Sequence, residues 1–253
     1  MTGNMGAPIA SNLAKHLQSS NQGPLLTFNR TTSKIDDLAK SLPSGAIKPA
    51  QSVEQIGEES DLIFTNLAND NAARSVVGAL LTGIKKQADK EKKMIIVETS
   101  TVAADTAREL SKAASAIEGV SYIQAPAFGP PREWAASPWV HSPAYSLAYS
   151  PLFRPLPSSA MAVESKLVFV LAGPAAAKSA IEPYLVPAMG RKTLDLGDDV
   201  GKSSIFKLVG NGFIAGLIEL LAETMTLANT AGVGDEAFLG FVKEFVPAPS
   251  AIG

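Results

Sequence analysis

Two polar side chains on one helical face are the first candidates for chemistry in this sequence. Lys207 and Asn211 lie four residues apart, so they share one side of a helix. A lysine in such a place is either a solvated cation whose methylenes cover apolar surface, or a general acid beside a polar clamp. The helix alone leaves both interpretations open. Its apolar residues recur with helical spacing at Phe206, Val209, Phe213, Leu217, Leu220 and Leu221.

A short glycine pattern near the first residue is the second candidate. Gly3 and Gly6 are spaced like the last two glycines of a dinucleotide-binding loop. In such a loop one glycine lets the backbone approach the pyrophosphate, and the other lets the helix pack on the sheet. Met1 stands where the first glycine is expected, so the strand that should precede the loop is missing from the pattern. A plain helix start with small residues is the alternative.

The segment after the next predicted strand bears on the choice of cofactor. Residues 25–28 have the composition of a short strand, which is followed by Asn29, Arg30 and Thr31. A carboxylate at this place would bind the adenosine ribose hydroxyls, whereas Arg30 offers a forked cation that suits a 2′-phosphate. The pattern therefore favours NADP, with NAD as the alternative. A solvated loop arginine is the other interpretation.

Strands and helices alternate along the rest of the first 200 residues. This alternation predicts an α/β fold with a doubly wound, Rossmann-type parallel sheet. Ligands of such sheets bind at the carboxyl ends of strands, so the polar exits at 66–69 and 99–101 are candidate sites, although hydroxyls there also cap helices. The predicted strands are 61–67, 94–98, 120–124, 167–171 and an edge strand at 192–196, and the predicted helices are 71–86, 104–117 and 174–189.

Composition excludes several classes of function. The 253 residues carry a net charge of −2 without a basic run, so nucleic acid and anionic membrane surfaces are not expected as partners. There is no cysteine, which excludes disulfides and thiol catalysis. His16 and His141 are the two histidines and lie far apart, so no metal site is predicted.

Targeting and membrane signals are weak. No basic region followed by an apolar run begins the chain, so we expect a cytoplasmic protein. The stretch 204–222 is apolar enough to be considered as a membrane span. Lys207, Asn211 and Glu219 lie inside it and would be costly in hydrocarbon. A buried helix of a soluble protein is therefore expected.

Five motifs follow one another along the chain. They are Gly-Asn-Met-Gly-Ala-Pro-Ile-Ala-Ser-Asn-Leu at 3–13, Asn-Arg-Thr at 29–31, Glu-Thr-Ser-Thr-Val at 98–102, Gln-Ala-Pro-Ala-Phe-Gly at 124–129 and Lys-Leu-Val-Gly-Asn at 207–211. In order and spacing they resemble the β-hydroxyacid dehydrogenases. This 6-phosphogluconate dehydrogenase-like group contains 3-hydroxyisobutyrate dehydrogenase, tartronate semialdehyde reductase and the glyoxylate/succinic semialdehyde reductases.

The resemblance implies a role for each matching residue. Lys207 would be the general acid/base and Asn211 would help to hold the substrate. Ser100 and the loop with Gly129 would hold the carboxylate of a small-molecule substrate. The implied reaction is hydride transfer between NADP(H) and a small β-hydroxy acid or its semialdehyde, with 3-hydroxyisobutyrate-like acids, glyoxylate and succinic semialdehyde as candidates. The implied cofactor-binding residues are Gly3, Asn4, Met5, Gly6, Asn29, Arg30, Thr31, Leu67, Ala68 and Thr101.

One departure from the family pattern bears on the substrate. The family usually has Ser-Gly-Gly after Ala-Pro-Val, whereas this chain has Phe128-Gly129-Pro130. The difference removes a hydroxyl and a backbone donor from the loop that would bind the carboxylate. The identity of the substrate is therefore left open.

Two domains are predicted, at 1–200 for the dinucleotide-binding domain and 201–253 for the start of an all-α domain. In the family a longer helical domain completes the cleft and the dimer, so a homo-oligomer is expected where that domain is complete. The segment 132–159 holds both tryptophans and five prolines at no regular period, which predicts an insertion, with a substrate lid as the alternative.

Two further functions remain open. The chain could be a non-catalytic or defective relative that acts as an interaction module, although it retains Lys207, Asn211 and Ser100 together. An imine reductase is also conceivable, but those relatives generally replace the lysine.

Overall fold

A computed structural model describes residues 5–87, 93–129 and 165–245. Gly3, Asn4 and the predicted insertion at 132–159 lie outside these ranges. Contacts divide the chain into two compact units. Of the described residues, the first unit contains 5–87, 93–129 and 165–207, and the second contains 208–245.

Short strands and amphipathic helices alternate in the first unit, as the hydrophobic pattern predicts. The helix α7 continues past the end of the first unit, and α8 belongs to the second. The elements are α1 (Gly6–Ser19), β1 (Leu25–Thr27), α2 (Thr32–Lys40), β2 (Ile47–Pro49), α3 (Val53–Glu59), β3 (Leu62–Thr65), α4 (Asp70–Ile84), β4 (Met94–Glu98), α5 (Ala104–Ser115), β5 (Val120–Gln124), β6 (Ala127–Phe128), β7 (Leu167–Leu171), α6 (Ala175–Leu185), β8 (Gly190–Asp195), α7 (Val200–Thr230) and α8 (Asp235–Phe245).

The strands form three groups in which every strand pair except β6–β7 is parallel, and this confirms the predicted class of fold. β1 pairs with β2, β3-β4-β5 form a second sheet, and β7 pairs in parallel with β8, while β6 runs antiparallel to β7. Gln124 and Ala172 exchange two backbone hydrogen bonds of 3.0 Å, so the second and third groups meet between β5 and β7. The predicted strands 94–98, 120–124 and 167–171 have these bounds in the structure.

Four short elements were not predicted, namely α2, β2, α3 and β6. They are two to nine residues long, which is too short for a hydrophobic period to stand out in the sequence. The predicted edge strand at 192–196 is confirmed as an edge, but it begins two residues earlier and ends one earlier. Strand pairing with β7 sets those bounds, and the sequence pattern does not show it.

Apolar residues on both faces of the β3-β4-β5 sheet hold helices against it. Ile96 and Tyr122 belong to a buried cluster with residues of α4 and α5. Val97 and Ile123, the next residues along the same strands, belong to a second cluster with residues of α1 and α6. Because side chains of a strand alternate between faces, this arrangement places helices on both sides of the sheet.

Two glycines allow α3 and α4 to pack with their backbones in contact. A Cβ added at Gly83 would lie 2.0 Å from the backbone oxygen of Glu54, and one added at Gly57 would lie 2.3 Å from the backbone oxygen of Leu80. Real Cβ atoms do not approach backbone oxygens this closely, so a larger residue at either place must push the helices apart. This packing positions α4, which covers one face of the β3-β4-β5 sheet.

The second unit is helical in its described part. Leu221 of α7 and Val242 of α8 are buried together, with Leu217 and Phe238 packed against them. By length and composition alone, α7 is long and apolar enough to cross a membrane. The expectation that 204–222 is a buried helix is wrong for the part in the second unit, where Leu208, Phe213 and Leu220 are exposed.

We expect Gly83→Ala to lower the free energy of unfolding by about 1–3 kcal/mol, because the new methyl group must displace the α3 backbone. Urea unfolding followed by circular dichroism measures the change. Gly78→Ala is the matched control, because Gly78 lies in the same helix and its added Cβ meets no atom within 4 Å. This control should be neutral or should gain about 0.5–1 kcal/mol from helix propensity. Equal losses for the two variants would contradict the packing argument.

Candidate functional site

The three strands of the β3-β4-β5 sheet each end in a polar residue. Thr65, Glu98 and Gln124 are the last residues of β3, β4 and β5, and they are direct partners across the sheet. All three are buried. Because the strands are parallel, the loops that follow them leave from this one edge of the sheet, as the sequence predicted for the exits at 66–69 and 99–101.

Ser100 lies directly after this row and is only 3% exposed. Its backbone N–H donates to Oε1 of Glu98 at 2.8 Å, and its carbonyl accepts from Nε2 of Gln124 at 2.8 Å. Its side-chain oxygen accepts the backbone N–H of Leu67. The structure therefore brings together Ser100, predicted to bind substrate, and Leu67, predicted to bind cofactor.

The carboxyl group of Glu98 is fully buried beneath this loop. Oε2 accepts from the Thr65 hydroxyl at 2.7 Å. Burial raises the pKa of Glu98, and hydrogen bonds with the Ser100 side chain, the Thr65 hydroxyl and the Ser100 N–H partly offset the rise. The Tyr122 hydroxyl donates to Oε1 of Gln124 at 2.8 Å, and burial, together with the charge of Glu98, raises the pKa of Tyr122 well above its usual value.

Lys207 is the predicted general acid and lies in α7, with 8% of its surface exposed. Its Nζ donates to the carbonyl of Ala127 at 2.8 Å and lies 4.0 Å from the centre of the Phe128 ring. In the described parts of the chain, no carboxylate forms an ion pair with it. Burial alone lowers the pKa of Lys207 from 10.5 to about 8. An amine with this pKa can both donate and accept a proton near neutral pH.

Two contacts hold the start of α7, and with it Lys207, one with strand β7 and one with helix α5. The Ser203 hydroxyl donates to the carbonyl of Val170 in β7 at 2.5 Å. Arg108 of α5 donates to both carboxylate oxygens of Asp199 at 3.0 and 2.9 Å, and Asp199 accepts the Gly201 N–H at 3.0 Å. Because the fork engages both oxygens, it fixes the direction in which the helix begins. A carboxylate at this place also suits the positive end of the helix dipole.

The residues predicted to meet the cofactor occupy loop and helix-start positions. Asn29, Arg30 and Thr31 leave β1 in a tight turn, in which the Thr31 N–H donates to the Asn29 side chain at 2.8 Å. Arg30 is exposed, so its guanidinium is accessible to a phosphate. Met5 lies directly before α1. Gly6 is the first residue of α1 and is buried. An exposed cation and a helix start with a small residue fit a bound dinucleotide.

The remaining predicted residues are less constrained. Ala68 and Thr101 are exposed in the loops after β3 and β4, and Gly129 is half-buried after β6. Asn211 is exposed on the part of α7 that belongs to the second unit. The roles assigned to these residues stay predictions.

The structure adds two residues that the sequence analysis did not single out for a role. Glu98 and Gln124 hold the backbone of Ser100 from both sides. The available signal was a charged residue at the end of the otherwise apolar strand Met94–Glu98, since a carboxylate is rarely buried without a specific partner.

Comparison with known proteins gives a family match over much of the first unit. The family described as the NAD binding domain of 6-phosphogluconate dehydrogenase matches residues 2–138. An uncharacterized oxidoreductase of Bacillus subtilis is 25% identical over 250 residues, which are 98% of this chain and 72% of that protein. Mouse mitochondrial 3-hydroxyisobutyrate dehydrogenase is 30% identical over 128 residues, which are 50% of this chain and 34% of that protein.

Solved structures share the fold at low identity. A 3-hydroxyisobutyrate dehydrogenase of Mycobacterium tuberculosis, solved with L-serine, has a TM-score of 0.73 and 19% identity, and covers 96% of this chain and 68% of its own. An imine reductase of Myxococcus stipitatus in complex with NAD+ has a TM-score of 0.70 and 16% identity, over 100% and 71% of the two chains. A reductive aminase of Aspergillus terreus in complex with NADPH has a TM-score of 0.63 and 18% identity, over 99% and 72%.

The lowered pKa of Lys207 predicts how stability depends on pH. The folded chain releases this proton near pH 8, whereas the unfolded chain keeps it until about 10.5. The unfolded state then binds more protons between these values, so this group makes the free energy of unfolding rise with pH from about 8 to 10.5. Lys207→Met should lack the rise. Urea unfolding at a series of pH values measures it.

Lys202→Met is the control for this measurement, because Lys202 lies on the same helix but is exposed. The free energy of unfolding of Lys202→Met, taken relative to the unsubstituted chain, should not show the pH dependence expected for Lys207→Met. A Lys207→Met curve parallel to that of the unsubstituted chain would show that the folded state does not depress the pKa of Lys207.

Proposed function

Since the chain belongs to the family of the NAD-binding domain of 6-phosphogluconate dehydrogenase, we propose that it is an NADP(H)-dependent oxidoreductase acting on a small β-hydroxy acid or its semialdehyde. The family is one of oxidoreductases with a nicotinamide dinucleotide. The observation that carries the proposal is Lys207, a buried amine with a pKa of about 8 and a fixed hydrogen bond to Ala127. The partial match to mouse 3-hydroxyisobutyrate dehydrogenase supports the substrate class.

Lys207 would be the general acid and base of the reaction. The nicotinamide, when bound, supplies or accepts the hydride. Reduction of a carbonyl leaves negative charge on its oxygen, which the Lys207 ammonium would stabilise and then protonate. In the oxidative direction the neutral amine would accept the hydroxyl proton. Its hydrogen bond to the Ala127 carbonyl fixes Nζ before substrate binds, which reduces the reorganisation needed during the transfer.

Lys207 favours hydroxy-acid chemistry over the alternatives. The structural relatives include an imine reductase and a reductive aminase, so the fold does not separate the two chemistries. Proton transfer to an alkoxide requires an acid near the substrate oxygen, and Lys207 supplies one. A non-catalytic interaction module would have no need for a lysine held at this cost in desolvation.

The substrate carboxylate would bind at the carboxyl edge of the sheet. Ser100, Gly129 and Asn211 are the candidates from the family resemblance. Because Phe128 replaces the usual hydroxyl residue, fewer donors would meet the carboxylate. We therefore expect a good substrate to make a second contact with the protein through another of its groups. This favours acids with a side chain over glyoxylate.

Self-association is proposed for the second unit. Several apolar side chains of α7 in this unit are exposed, and exposed apolar surface of this kind usually marks an interface. Glu219 and Glu223 lie among them, so a second protein surface suits the helix better than hydrocarbon. The exposed residues are Leu208, Val209, Phe213, Leu220 and Leu227.

Lys207→Ala should lower kcat by roughly 10²–10⁴ with NADPH and glyoxylate, succinic semialdehyde or the semialdehyde of 3-hydroxyisobutyrate, while NADPH affinity changes little. Lys207→Arg should rescue poorly, because a guanidinium does not release its proton near neutral pH. Lys202→Ala is the matched control and should keep full turnover. Retention of most turnover by Lys207→Ala with every active substrate would make the lysine a bystander.

Arg30→Ala should weaken NADPH binding by about 1.5–3 kcal/mol and leave NADH binding nearly unchanged, because only NADPH carries the 2′-phosphate. Fluorescence titration of both cofactors measures the two affinities. Lys34→Ala is a control, since Lys34 is an exposed cation one turn into α2. Equal losses for the two cofactors, or none, would contradict the assignment of NADP.

A further inference from the structure

Two aromatic rings lie beside the amine of Lys207. Phe128 follows Ala127 in β6, and the centre of its ring lies 4.0 Å from Nζ of Lys207. Phe206 precedes Lys207 in α7 and meets Phe128 edge-on, with 6.0 Å between the ring centres and 88° between the planes. Phe128 is only half-buried, and 38% of Phe206 is exposed. Apolar surface is thus left in water directly beside the candidate proton donor, at a cost in hydration free energy.

The contacts of Lys207 restrict where a substrate can meet its amine. An ammonium group has three N–H donors in tetrahedral directions. One is donated to the Ala127 carbonyl at 2.8 Å, and the Phe128 ring covers a second side. The third direction is left for the reacting oxygen of a substrate. An oxygen at hydrogen-bonding distance there would lie about 5–6 Å from the centre of the Phe128 ring, so groups on the reacting carbon or on its neighbour reach the ring.

We propose that Phe128 and Phe206 determine substrate specificity, by forming an apolar wall for the side chain of a β-hydroxy acid, and that this side chain is larger than a methyl group. This rests on the proposed function, in which Lys207 protonates the substrate oxygen. Binding sites for small molecules commonly combine an aromatic lining with a few polar groups, as this amine and these rings do. Glyoxylate has no group to place on the wall, and a methyl group covers only a small part of two rings.

A role confined to shielding Lys207 from water makes a different prediction. The rings contribute to the burial that lowers the pKa of Lys207 to about 8. If this were their whole role, loss of Phe128 would raise that pKa and would change the turnover of every substrate by a common factor. A wall that contacts the side chain instead changes the ratio between substrates. The ratio of kcat/KM for two acids with the same cofactor cancels the effect of the substitution on the amine.

Oxidation of 3-hydroxypropionate, its 2-methyl derivative and its 2-benzyl derivative by NADP+ tests the proposal. In the unsubstituted chain, kcat/KM should be roughly tenfold higher for the 2-benzyl acid than for 3-hydroxypropionate, with the 2-methyl acid between them. Phe128→Ala should remove most of this preference, and Phe206→Ala should affect the 2-benzyl acid more than the 2-methyl acid. Tyr184→Ala is the matched control and should keep the preference, because Tyr184 also makes an edge-on ring contact, at 5.8 Å with His16, but lies on α6.

Binding provides a readout that does not need turnover. With NADPH in place of NADP+ a hydroxy acid is not oxidised, so calorimetry measures its affinity alone. The 2-benzyl acid should bind the unsubstituted chain roughly tenfold more tightly than 3-hydroxypropionate, and Phe128→Ala should bind the two acids alike. If Phe128→Ala does not fold, Phe206→Ala decides, because the exposed Phe206 ring can be removed without opening the core.

Two outcomes would overturn the specificity wall. The first is equal kcat/KM and equal affinity for the three acids in the unsubstituted chain. The second is a preference for the 2-benzyl acid that survives loss of either ring. Absence of turnover with every acid would instead refute the proposed function, and the affinities would still decide whether Phe128 and Phe206 contact the side chain.

Discussion

The desolvation of one ammonium group is the constraint on which the candidate site depends. Lys207 is buried without an ion pair among the described residues, and burial alone depresses its pKa to about 8. Such a place is tolerable because a carbonyl oxygen and an aromatic face both carry negative potential, and Ala127 and Phe128 supply them. A nearby carboxylate would have stabilised the charge and removed the tuning. Burial of Lys207 therefore costs stability, and it gives the amine a pKa near neutral pH.

The position of that amine is set by contacts remote from it. Ser203 binds the end of β7, and the Arg108–Asp199 pair ties the first turn of α7 to α5. Ala127 belongs to the short strand β6, which pairs with β7. The donor Lys207 and its acceptor Ala127 are thus both held in place by contacts with β7. A rigid reference of this kind is what a short proton transfer requires.

The same edge of the sheet collects the groups that would bind the substrate. Parallel strands end together, and here they end in a buried polar row, Thr65, Glu98 and Gln124. Polar residues in a sheet core are costly unless every group is paired, and their pairing restricts the loop above to one conformation. The order of the loop around Ser100 thus comes from residues that need not contact a ligand.

The sequence by itself determined the class of fold, the long strands, and the lysine on α7, because alternation and helical spacing are local properties that survive without tertiary context. It also indicated Arg30 and Ser100, whose neighbours match a known pattern. It left open whether Lys207 is solvated or buried, and it did not reveal Glu98 as the support of Ser100. Only the tertiary structure decided these two points, because desolvation and hydrogen bonding depend on residues such as Ala127, which is 80 positions away from Lys207 in the chain.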